Sequence, residues 1–296
     1  MIAMDGVLIL DKPAGISSHD AVRRIRRLAD TKRVGHLGTL DPLATGVLPL
    51  VLGRATRLAQ FFSHHDRAYE AVFRFGFATD SYDRDGVPAG ETRDVAVDRE
   101  ELEAIMPDYR GKISQMPPPI SAKKIDGVPA YKLARKKKPV NLEPVEVDIY
   151  EFTLLDVTGS RASVSIRCSA GTYVRSLAHD IGQRLGVGAH VESLRRTATG
   201  DFDISLAHTL EHLAGLREQG RFGEALIPPE SLLPEFPNQR VDAVTAARIV
   251  QGRDFRVSAF GIQKGTKLVK AIDPDGKLLA IGEARMPLVY HPIVVL

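Results

Sequence analysis

Two stretches of the chain alternate between apolar and polar positions, the period-2 pattern of a strand with one buried face. In AYEAVFRFGF the apolar positions are Tyr69, Ala71, Phe73, Phe75 and Phe77. From 161 to 170, apolar residues alternate with arginine and serine, and Cys168 lies on the apolar side. This placement predicts that Cys168 is a small core residue. A short apolar run, GVLIL at 6–10, predicts a buried strand.

Helix signals occur in four segments, each marked by apolar residues at helical spacing or by capping or breaking residues at its ends. The predicted helices cover about 18–29, 98–106, 174–185 and 242–250. The first has Asp20 in its first turn, where a carboxylate interacts favourably with the helix dipole. In the second, Asp98 and Glu101 have the spacing of a capping box. Gly186 and Gly252 follow the last two and end them.

Helices and strands do not alternate regularly as βαβ units, so we predict an α+β fold. Four prolines lie between 228 and 237, a density that interrupts helices and central strands and indicates a linker. The predicted domains are residues 1–230 and a small β-rich unit of residues 236–296.

The composition excludes several classes of protein. The 296 residues are 44% hydrophobic and 26% charged, ordinary values for a globular chain, and no run of 18 apolar residues could span a bilayer. The N-terminal residues MIAMDGVLILDKP lack the features of a secretory signal, so we expect a cytoplasmic protein. A single cysteine allows neither an internal disulfide nor a thiolate zinc cage.

The charge is unevenly distributed, although the net charge is only +3. Between Arg110 and Lys138 there are nine basic residues and one acid, and between Arg23 and Arg33 there are six and one. Such runs are often solvated surface. Two of them in one chain favour a polyanionic partner, because each phosphate contact releases condensed counterions.

Common catalytic and cofactor motifs are absent from the sequence. There is no GxxxxGK[ST], no GxGxxG after a strand, no HExxH and no GxSxG, so we expect no nucleotide cofactor and no metal. His208 and His212 stand one helical turn apart, but no third ligand lies near them in the sequence, which favours an exposed helical pair over a metal site.

The segment GHLGTLDPLATGVL, residues 35–48, stands out because it is rich in glycine yet unusually apolar for a loop. We infer that it lines a pocket and carries Asp41. The alternative is a helix start, since Asp-Pro often supplies an N-cap and the first helical residue.

This segment resembles the catalytic-loop motif of the tRNA pseudouridine synthases of the TruB family. The resemblance extends over nearly the whole chain in five ordered blocks. The other blocks are LDKPAGISS from Leu10, the strand from Arg67 to Asp83, the segment from Met116-Pro117-Pro118 to Tyr131, and GTYVR at 171–175 followed by Leu194-Arg195-Arg196. It implies an α+β catalytic domain with a mixed, largely antiparallel sheet, followed by a small PUA-like domain.

The resemblance also assigns the roles of five active-site residues. Asp41 is the single catalytic carboxylate, Tyr69 stacks under the target base, and Tyr173 lies beside the C5 edge of that base. Arg175 pairs with Asp41, and Leu194 forms a wall of the pocket.

An RNA-binding set is implied as well. His36 enters the RNA stack where the expelled uridine had been, and the insertion at about 110–140 grips the RNA. The other expected RNA contacts are Lys12, Lys123, Lys124, Arg135, Lys136, Lys137 and Lys138. The implied partner is the T stem-loop of tRNA, with uridine 55 as the target, and we expect a monomer with no cofactor and no obligatory protein partner.

The implied reaction can be carried out with a single catalytic carboxylate. Conversion of uridine to pseudouridine breaks the C1′–N1 bond, turns the bound uracil and joins C1′ to C5, so no redox step or metal is needed. A carboxylate can attack C1′, add to C6 or abstract a ribose proton, and the sequence leaves all three open. A guanidinium such as that of Arg175 favours the ionised carboxylate. The target base must also leave the RNA stack, and an aromatic platform returns about 1–3 kcal/mol.

Three rival functions remain open. A binding-only RNA protein would need the basic runs but not an apolar loop holding Asp41. A sugar-processing hydrolase would need a second carboxylate and a path for water, and no such pair is found in the sequence. A guide-RNA-dependent pseudouridine synthase shares the catalytic blocks but works within a larger particle, and the compact chain favours a stand-alone enzyme of bacterial type.

Overall fold

A computed structural model of the chain describes residues 4–121, 124–125, 128–129, 142–258, 262–263 and 265–296. The α-helices of this part of the chain are α1 (Ser18–Leu28), α2 (Arg99–Ile105), α3 (Val174–Arg184), α4 (Leu210–Glu218) and α5 (Ala243–Val250).

Most of the strands are short and separated by turns. In chain order they are β1 (Gly6–Lys12), β2 (Val34–His36), β3 (Thr45–Leu52), β4 (Arg67–Phe75), β5 (Ala78–Thr79), β6 (Pro88–Ala89), β7 (Gly111–Gln115), β8 (Lys124–Ile125), β9 (Val128–Pro129), β10 (Val145–Thr158), β11 (Arg161–Cys168), β12 (Ala189–Thr199), β13 (Phe202–Asp203), β14 (Leu226–Ile227), β15 (Asn238–Arg240), β16 (Phe255–Arg256), β17 (Leu268–Ile272), β18 (Leu278–Met286) and β19 (Val289–Val295).

Two sheets organise these strands. The first has the order β14-β1-β3-β12-β4-β11-β10-β7, with β2 paired to β3 and β13 to β12. The second has the order β15-β17-β18-β19-β16. In the described residues the parallel pairings are β3 with β12 and β15 with β17, and the remaining pairings in these sheets are antiparallel. The prediction of an α+β fold with a mixed, largely antiparallel sheet is confirmed.

The strands predicted from period-2 alternation are present. Along β4 and β11 the apolar positions are buried and the intervening ones are more exposed, and Cys168 is fully buried. Cys168 is therefore a core residue, as predicted, and its burial raises the pKa of the thiol to about 11. The strand β4 ends at Phe75, before the predicted Phe77, because Gly76 adopts a φ of 110° that extended backbone does not allow.

Helices α1 to α4 cover one face of the first sheet, and α5 packs on the second sheet. Ser17 caps α1 in a complete capping box with Asp20, one residue before the predicted start. From α1, Ile25 packs in the same core as Leu8 of β1, and from α3, Leu177 packs in the same core as Phe73.

Part of the opposite face of the first sheet is covered by the second sheet. Val7 and Val51 of the first sheet share an apolar cluster with Ile281 and Val294 of the second. The strands change sheet between β14 and β15, across the proline-rich segment, so the division into residues 1–230 and 236–296 stays a prediction. No helix of the described residues is long and apolar enough to cross a membrane.

Gly46 permits the parallel contact of β3 with β12. It pairs with Arg196, has a φ of 95°, and an added Cβ would lie 2.2 Å from the carbonyl oxygen of Arg196. We expect Gly46→Ala to lower the free energy of unfolding by about 2–5 kcal/mol, because strain and overpacking add. The matched control is Gly15→Ala, since Gly15 also has a positive φ (81°) but no atom within 4 Å of the added Cβ. Denaturant melts in which both variants are destabilised equally would contradict the role of the close approach.

Candidate active site

The loop between β2 and β3 carries Asp41 and is held from below by a buried arginine. The guanidinium of Arg196, on β12, has no exposed surface. It donates hydrogen bonds to the carbonyl oxygens of Gly38, Thr39 and Val47 at 3.2, 3.3 and 2.7 Å. The loop therefore has a fixed path on both sides of Asp41. It forms a turn, closed by the amide of Ala44 and the carbonyl of Asp41, so the alternative that Asp-Pro begins a helix is wrong.

Lys12 lies beneath the same loop, not on the RNA-binding surface where we expected it. Its ammonium group is fully buried and donates to the carbonyl oxygens of Pro13, Ile16 and Pro42 at 2.9, 2.8 and 3.4 Å. Burial lowers the pKa of Lys12 to about 8, although the nearby carboxylate of Asp41 opposes this shift. An ammonium group without exposed surface cannot contact a phosphate in this conformation. We therefore correct the expected role of Lys12 from an RNA contact to support of the loop.

Asp41 is paired with Arg175, the first arginine of α3. The Nε and Nη2 atoms of Arg175 lie 2.9 and 3.2 Å from the two carboxylate oxygens of Asp41. The side chain of Arg175 is only 5% exposed, whereas that of Asp41 is 33% exposed. The arginine is therefore internal and fixed, and the carboxylate on its outer side remains accessible to a substrate.

Arg175 also contacts a second carboxylate, that of Asp83. Its Nη1 atom donates to the carbonyl oxygen of Ser81 at 2.8 Å and to Oδ2 of Asp83 at 3.2 Å. Burial raises the pKa of Asp83, while the hydrogen bond from Ser81 and the charge of Arg175 act in the opposite direction. Asp83 therefore fixes the side of the guanidinium that faces away from Asp41.

A cavity of about 600 Å³ opens over this pair. Its walls include Asp41, Tyr69, Tyr173, Arg175 and Leu194, so the structure brings together all five predicted active-site residues. Tyr69 and Leu194 are buried, at 6% and 7% exposure, and supply apolar walls. The volume lies within the range typical of small-ligand sites. The individual roles of these residues stay predictions.

Gln115 positions Tyr173, a link that sequence reasoning missed. Its side-chain oxygen accepts from the amide of Tyr173 at 2.8 Å, and its side-chain nitrogen donates to the Tyr173 carbonyl at 3.0 Å. Burial raises the pKa of the Tyr173 hydroxyl, so this group is protonated at neutral pH. Tyr173 immediately precedes α3, and the same helix begins with Val174 and Arg175.

His36 ends β2, at the entrance to the catalytic loop. Its ring makes an edge contact with His19, with ring centroids 5.9 Å apart. Burial lowers the pKa of His36, and the charges of His19 and Arg196 lower it further. The side chains of Lys123, Lys124, Arg135, Lys136, Lys137 and Lys138 lie outside the described residues, so their RNA contacts stay predictions.

Asp83, Arg196 and Gln115 received no role from the sequence, although each lies inside or beside a motif block. Asp83 ends the strand block that begins at Arg67, and Arg196 ends the last block. Gln115 directly precedes Met116-Pro117-Pro118. Their positions within the blocks were the available signal. Elsewhere, the parallel rings of His208 and His212 stack with centroids 5.1 Å apart, but the expected helical pair is wrong: His208 precedes the capping residue of α4 and forms a β-bridge with Leu10, so only His212 is helical.

Asp180, five residues after Arg175 on α3, gives a test of how a buried carboxylate affects stability. Burial raises its pKa to about 6, from 3.8 in an unfolded chain. The folded protein therefore binds more protons between about pH 4 and pH 6, and stability falls as the pH rises through this window. Asparagine does not titrate, so Asp180→Asn should be more stable than the parent at pH 8 by about 1–2 kcal/mol, after allowance for partial solvation. Thermal melts should show this gain disappear near pH 4, and an equal gain at both pH values would refute it.

Comparison with known proteins supports a single assignment. Residues 26–174 match the TruB family pseudouridylate synthase N-terminal domain, and residues 175–233 match the tRNA pseudouridylate synthase B C-terminal domain. The tRNA pseudouridine synthase B of Solibacter usitatus (strain Ellin6076) is 52% identical over 293 residues, covering 99% of this chain and 100% of the relative. That of Stutzerimonas stutzeri (strain A1501) is 41% identical over 286 residues, covering 95% and 92%.

Solved structures agree with this assignment. A chain in the crystal structure of a Cbf5-Nop10-Gar1 complex is 28% identical, with a TM-score of 0.69, over 96% of this chain and 79% of that one. A chain in the structure of an H/ACA RNP bound to a substrate RNA containing 2′-deoxyuridine is 27% identical, with a TM-score of 0.70, over 99% and 84%. With its motif blocks, its fold and its relatives over the full chain in agreement, the chain belongs to the TruB family of pseudouridylate synthases.

Proposed function

We propose that this protein isomerises uridine to pseudouridine in tRNA, at position 55 of the T loop. The observation that carries the proposal is the Asp41 carboxylate, held by Arg175 at the wall of a cavity that Tyr69 and Tyr173 also line. A carboxylate in such a place can react with a nucleoside that enters the cavity, and the tyrosine rings can hold a detached uracil. The relatives named tRNA pseudouridine synthase B support tRNA as the substrate.

The reaction places specific demands on these groups. The target uridine turns out of the RNA stack, and stacking on Tyr69 offsets about 1–3 kcal/mol of the cost. Asp41 then acts on C1′, on C6 or on a ribose proton, and the C1′–N1 bond breaks. The uracil rotates while it stays enclosed, C1′ joins C5, the C5 proton leaves and N1 gains a proton. Apolar walls such as Leu194 reduce the access of water, which would otherwise hydrolyse the intermediate.

The RNA contacts are proposed from the sequence. We expect the basic insertion and His36 to hold the T stem-loop, and the PUA-like residues 236–296 to hold a distant part of the tRNA. From the same sequence reasoning we expect a cytoplasmic monomer that needs no protein partner. Light scattering of the protein alone and with tRNA tests the oligomeric state.

The insertion can be tested through its charge. Replacing Lys136, Lys137 and Lys138 together with alanine should weaken tRNA binding. The slope of log Kd against log salt should fall by about one for each phosphate that the variant no longer neutralises. Titrations of labelled tRNA at several salt concentrations measure the slope. An unchanged slope would remove these lysines from the RNA interface.

The decisive experiment for the function uses unmodified tRNA transcript, the purified protein and no cofactor or guide RNA, followed by nucleoside mapping. We expect one pseudouridine, at position 55, and none in a transcript with cytidine there. Release of free uracil would favour the hydrolase, and binding without product would favour the binding-only protein.

The structural likeness to H/ACA proteins makes guide-RNA-dependent action the second candidate. Product formed only after addition of a guide RNA and partner proteins would support that candidate and refute stand-alone action.

A further inference from the structure

Arg67 lies in the wall of the active-site cavity and has a hydrogen-bond donor that is unpaired within the described residues. It is the first residue of β4, two positions before Tyr69, so both side chains lie on the same face of the sheet. It lines the cavity together with Asp41 and Tyr173. Its Nε atom is buried and has no hydrogen-bond partner among the residues that the structure describes.

The catalytic loop leaves room for this guanidinium. Gly38 has a φ of 108°, and a Cβ added there would lie 2.8 Å from Nη2 of Arg67 and 3.7 Å from Nη1 of Arg196. The two guanidinium groups thus approach the same glycine. Any side chain at position 38 would push Arg67 away from the loop, so the glycine allows the arginine to lie against the catalytic loop.

Neighbouring cations are already engaged. Arg175 is bound by Asp41 and Asp83, and Lys12 and Arg196 donate to backbone carbonyls of the loop region. Among the described residues that line the cavity, the cations are Arg67 and Arg175 and the carboxylates are Asp41 and Glu146, and Arg175 is the cation that is bound by Asp41. Arg67 takes part in none of these contacts, and an unpaired buried donor costs free energy until a ligand satisfies it. The guanidinium group of Arg67, which is half-buried in the wall of the cavity, is therefore available to an anion that enters it.

We propose that Arg67 binds a backbone phosphate of the nucleotide that is turned into the cavity. This inference rests on the proposed function, because only a nucleotide that leaves the RNA stack brings its flanking phosphates to this wall. Uracil is uncharged before the reaction and offers single carbonyl oxygens, whereas a guanidinium fork matches two phosphate oxygens. The contact would fix the ribose, and so the position of C1′ relative to Asp41.

Arg67→Gln removes the charge and keeps much of the side-chain length. We expect kcat/KM for a T stem-loop RNA to fall by about 10–100-fold, as removal of one charge-assisted hydrogen bond or pair would cause. The slope of log(kcat/KM) against log salt should fall by about 0.7–0.9. Arg67→Lys, which keeps the charge, should retain most of the slope. The control is Arg167→Gln, since Arg167 pairs in register opposite Ala68 but is exposed and bound by Glu151.

The phosphate itself is identified with substrates in which each phosphate flanking the target uridine is replaced singly by an uncharged methylphosphonate. At the contacted position, neutralisation should lower kcat/KM of the parent enzyme and of Arg167→Gln, but cost Arg67→Gln nothing further. Losses that multiply at every position would overturn the inference, as would a fall in melting temperature large enough to explain the reduced activity. If the parent enzyme makes no pseudouridine, the proposed function fails; if it does and no coupling is found, only the assignment of Arg67 fails.

Discussion

Replacing Asp41 with asparagine is expected to stop pseudouridine formation while tRNA binding stays within a few-fold of the parent. The amide keeps the size of the carboxylate, but it can neither attack carbon nor accept a proton. Removal of a nucleophile or general base typically costs about 10²–10⁶-fold in kcat, and we expect about 10⁴-fold or more here. Arg175 keeps its contact with Asp83, so the cavity should survive the change.

Single-turnover assays on a T stem-loop RNA measure the rate, and a filter-binding titration measures the affinity. The matched control is Asp11→Asn, which removes the carboxylate of a separate ion pair, that of Asp11 on β1 with Arg195 on β12 at 2.8 Å. The control should retain its activity. Normal turnover by Asp41→Asn would sink the proposed mechanism, whereas loss of both activity and binding would move Asp41 from the chemistry to the RNA interface.

The sequence predicted the elements well where side-chain periodicity and burial coincide. The alternation around Phe73 and Val164 reflects one buried face on each strand, so β4 and β11 could be located, and the stop signal at Gly252 located the end of α5. Strand order was less accessible. The parallel contact of β3 with β12 joins residues 45–46 to 195–196, and no local pattern encodes a pairing over that distance.

Buried charged residues are the part of the site that the sequence did not reveal. Lysine and arginine are almost always surface residues, so Lys12 and Arg196 give no sign in the pattern that both are fully buried. Both side chains donate hydrogen bonds to backbone carbonyl groups. Because every residue has a carbonyl group, the sequence does not indicate which residue is the hydrogen-bond partner. The motif resemblance assigned Asp41 because the loop is contiguous. It missed the function of Asp83 because that carboxylate meets Arg175 only in the folded chain.

Arg175→Gln is expected to cause the second large effect, on stability as well as activity. It leaves Asp83 buried without its cation and Asp41 without the guanidinium that orients it. Breaking a buried pair by removing one partner costs about 3–5 kcal/mol, so the free energy of unfolding at neutral pH should fall by that amount. Turnover should be abolished at temperatures where the variant is still folded, because Asp41 is no longer fixed toward the cavity.

The pH dependence of this destabilisation shows whether its cause is the unpaired charge of Asp83 or the loss of packing. Burial already raises the pKa of Asp83, and without Arg175 it must rise further. An acid whose pKa is higher in the folded state favours folding when protonated, so the variant loses stability as the pH rises from about 4 through the raised pKa. Its deficit relative to the parent should therefore shrink on acidification. A deficit of equal size at pH 5 and pH 8 would assign it to packing.

The double variant Arg175→Gln, Asp83→Asn completes the test. Because it also removes the stranded carboxylate, we expect it to recover about half or more of the stability difference between Arg175→Gln and the parent, measured by denaturant melts at pH 7. Its turnover should remain abolished, since Asp41 still lacks its guanidinium. Recovery of stability without activity would separate the two roles of Arg175. On one side it neutralises the buried carboxylate of Asp83, and on the other it orients the catalytic carboxylate of Asp41. If the double variant were as unstable as Arg175→Gln, Asp83 would not be the source of the strain, and the account of Arg175 as a bridge between two carboxylates would fail.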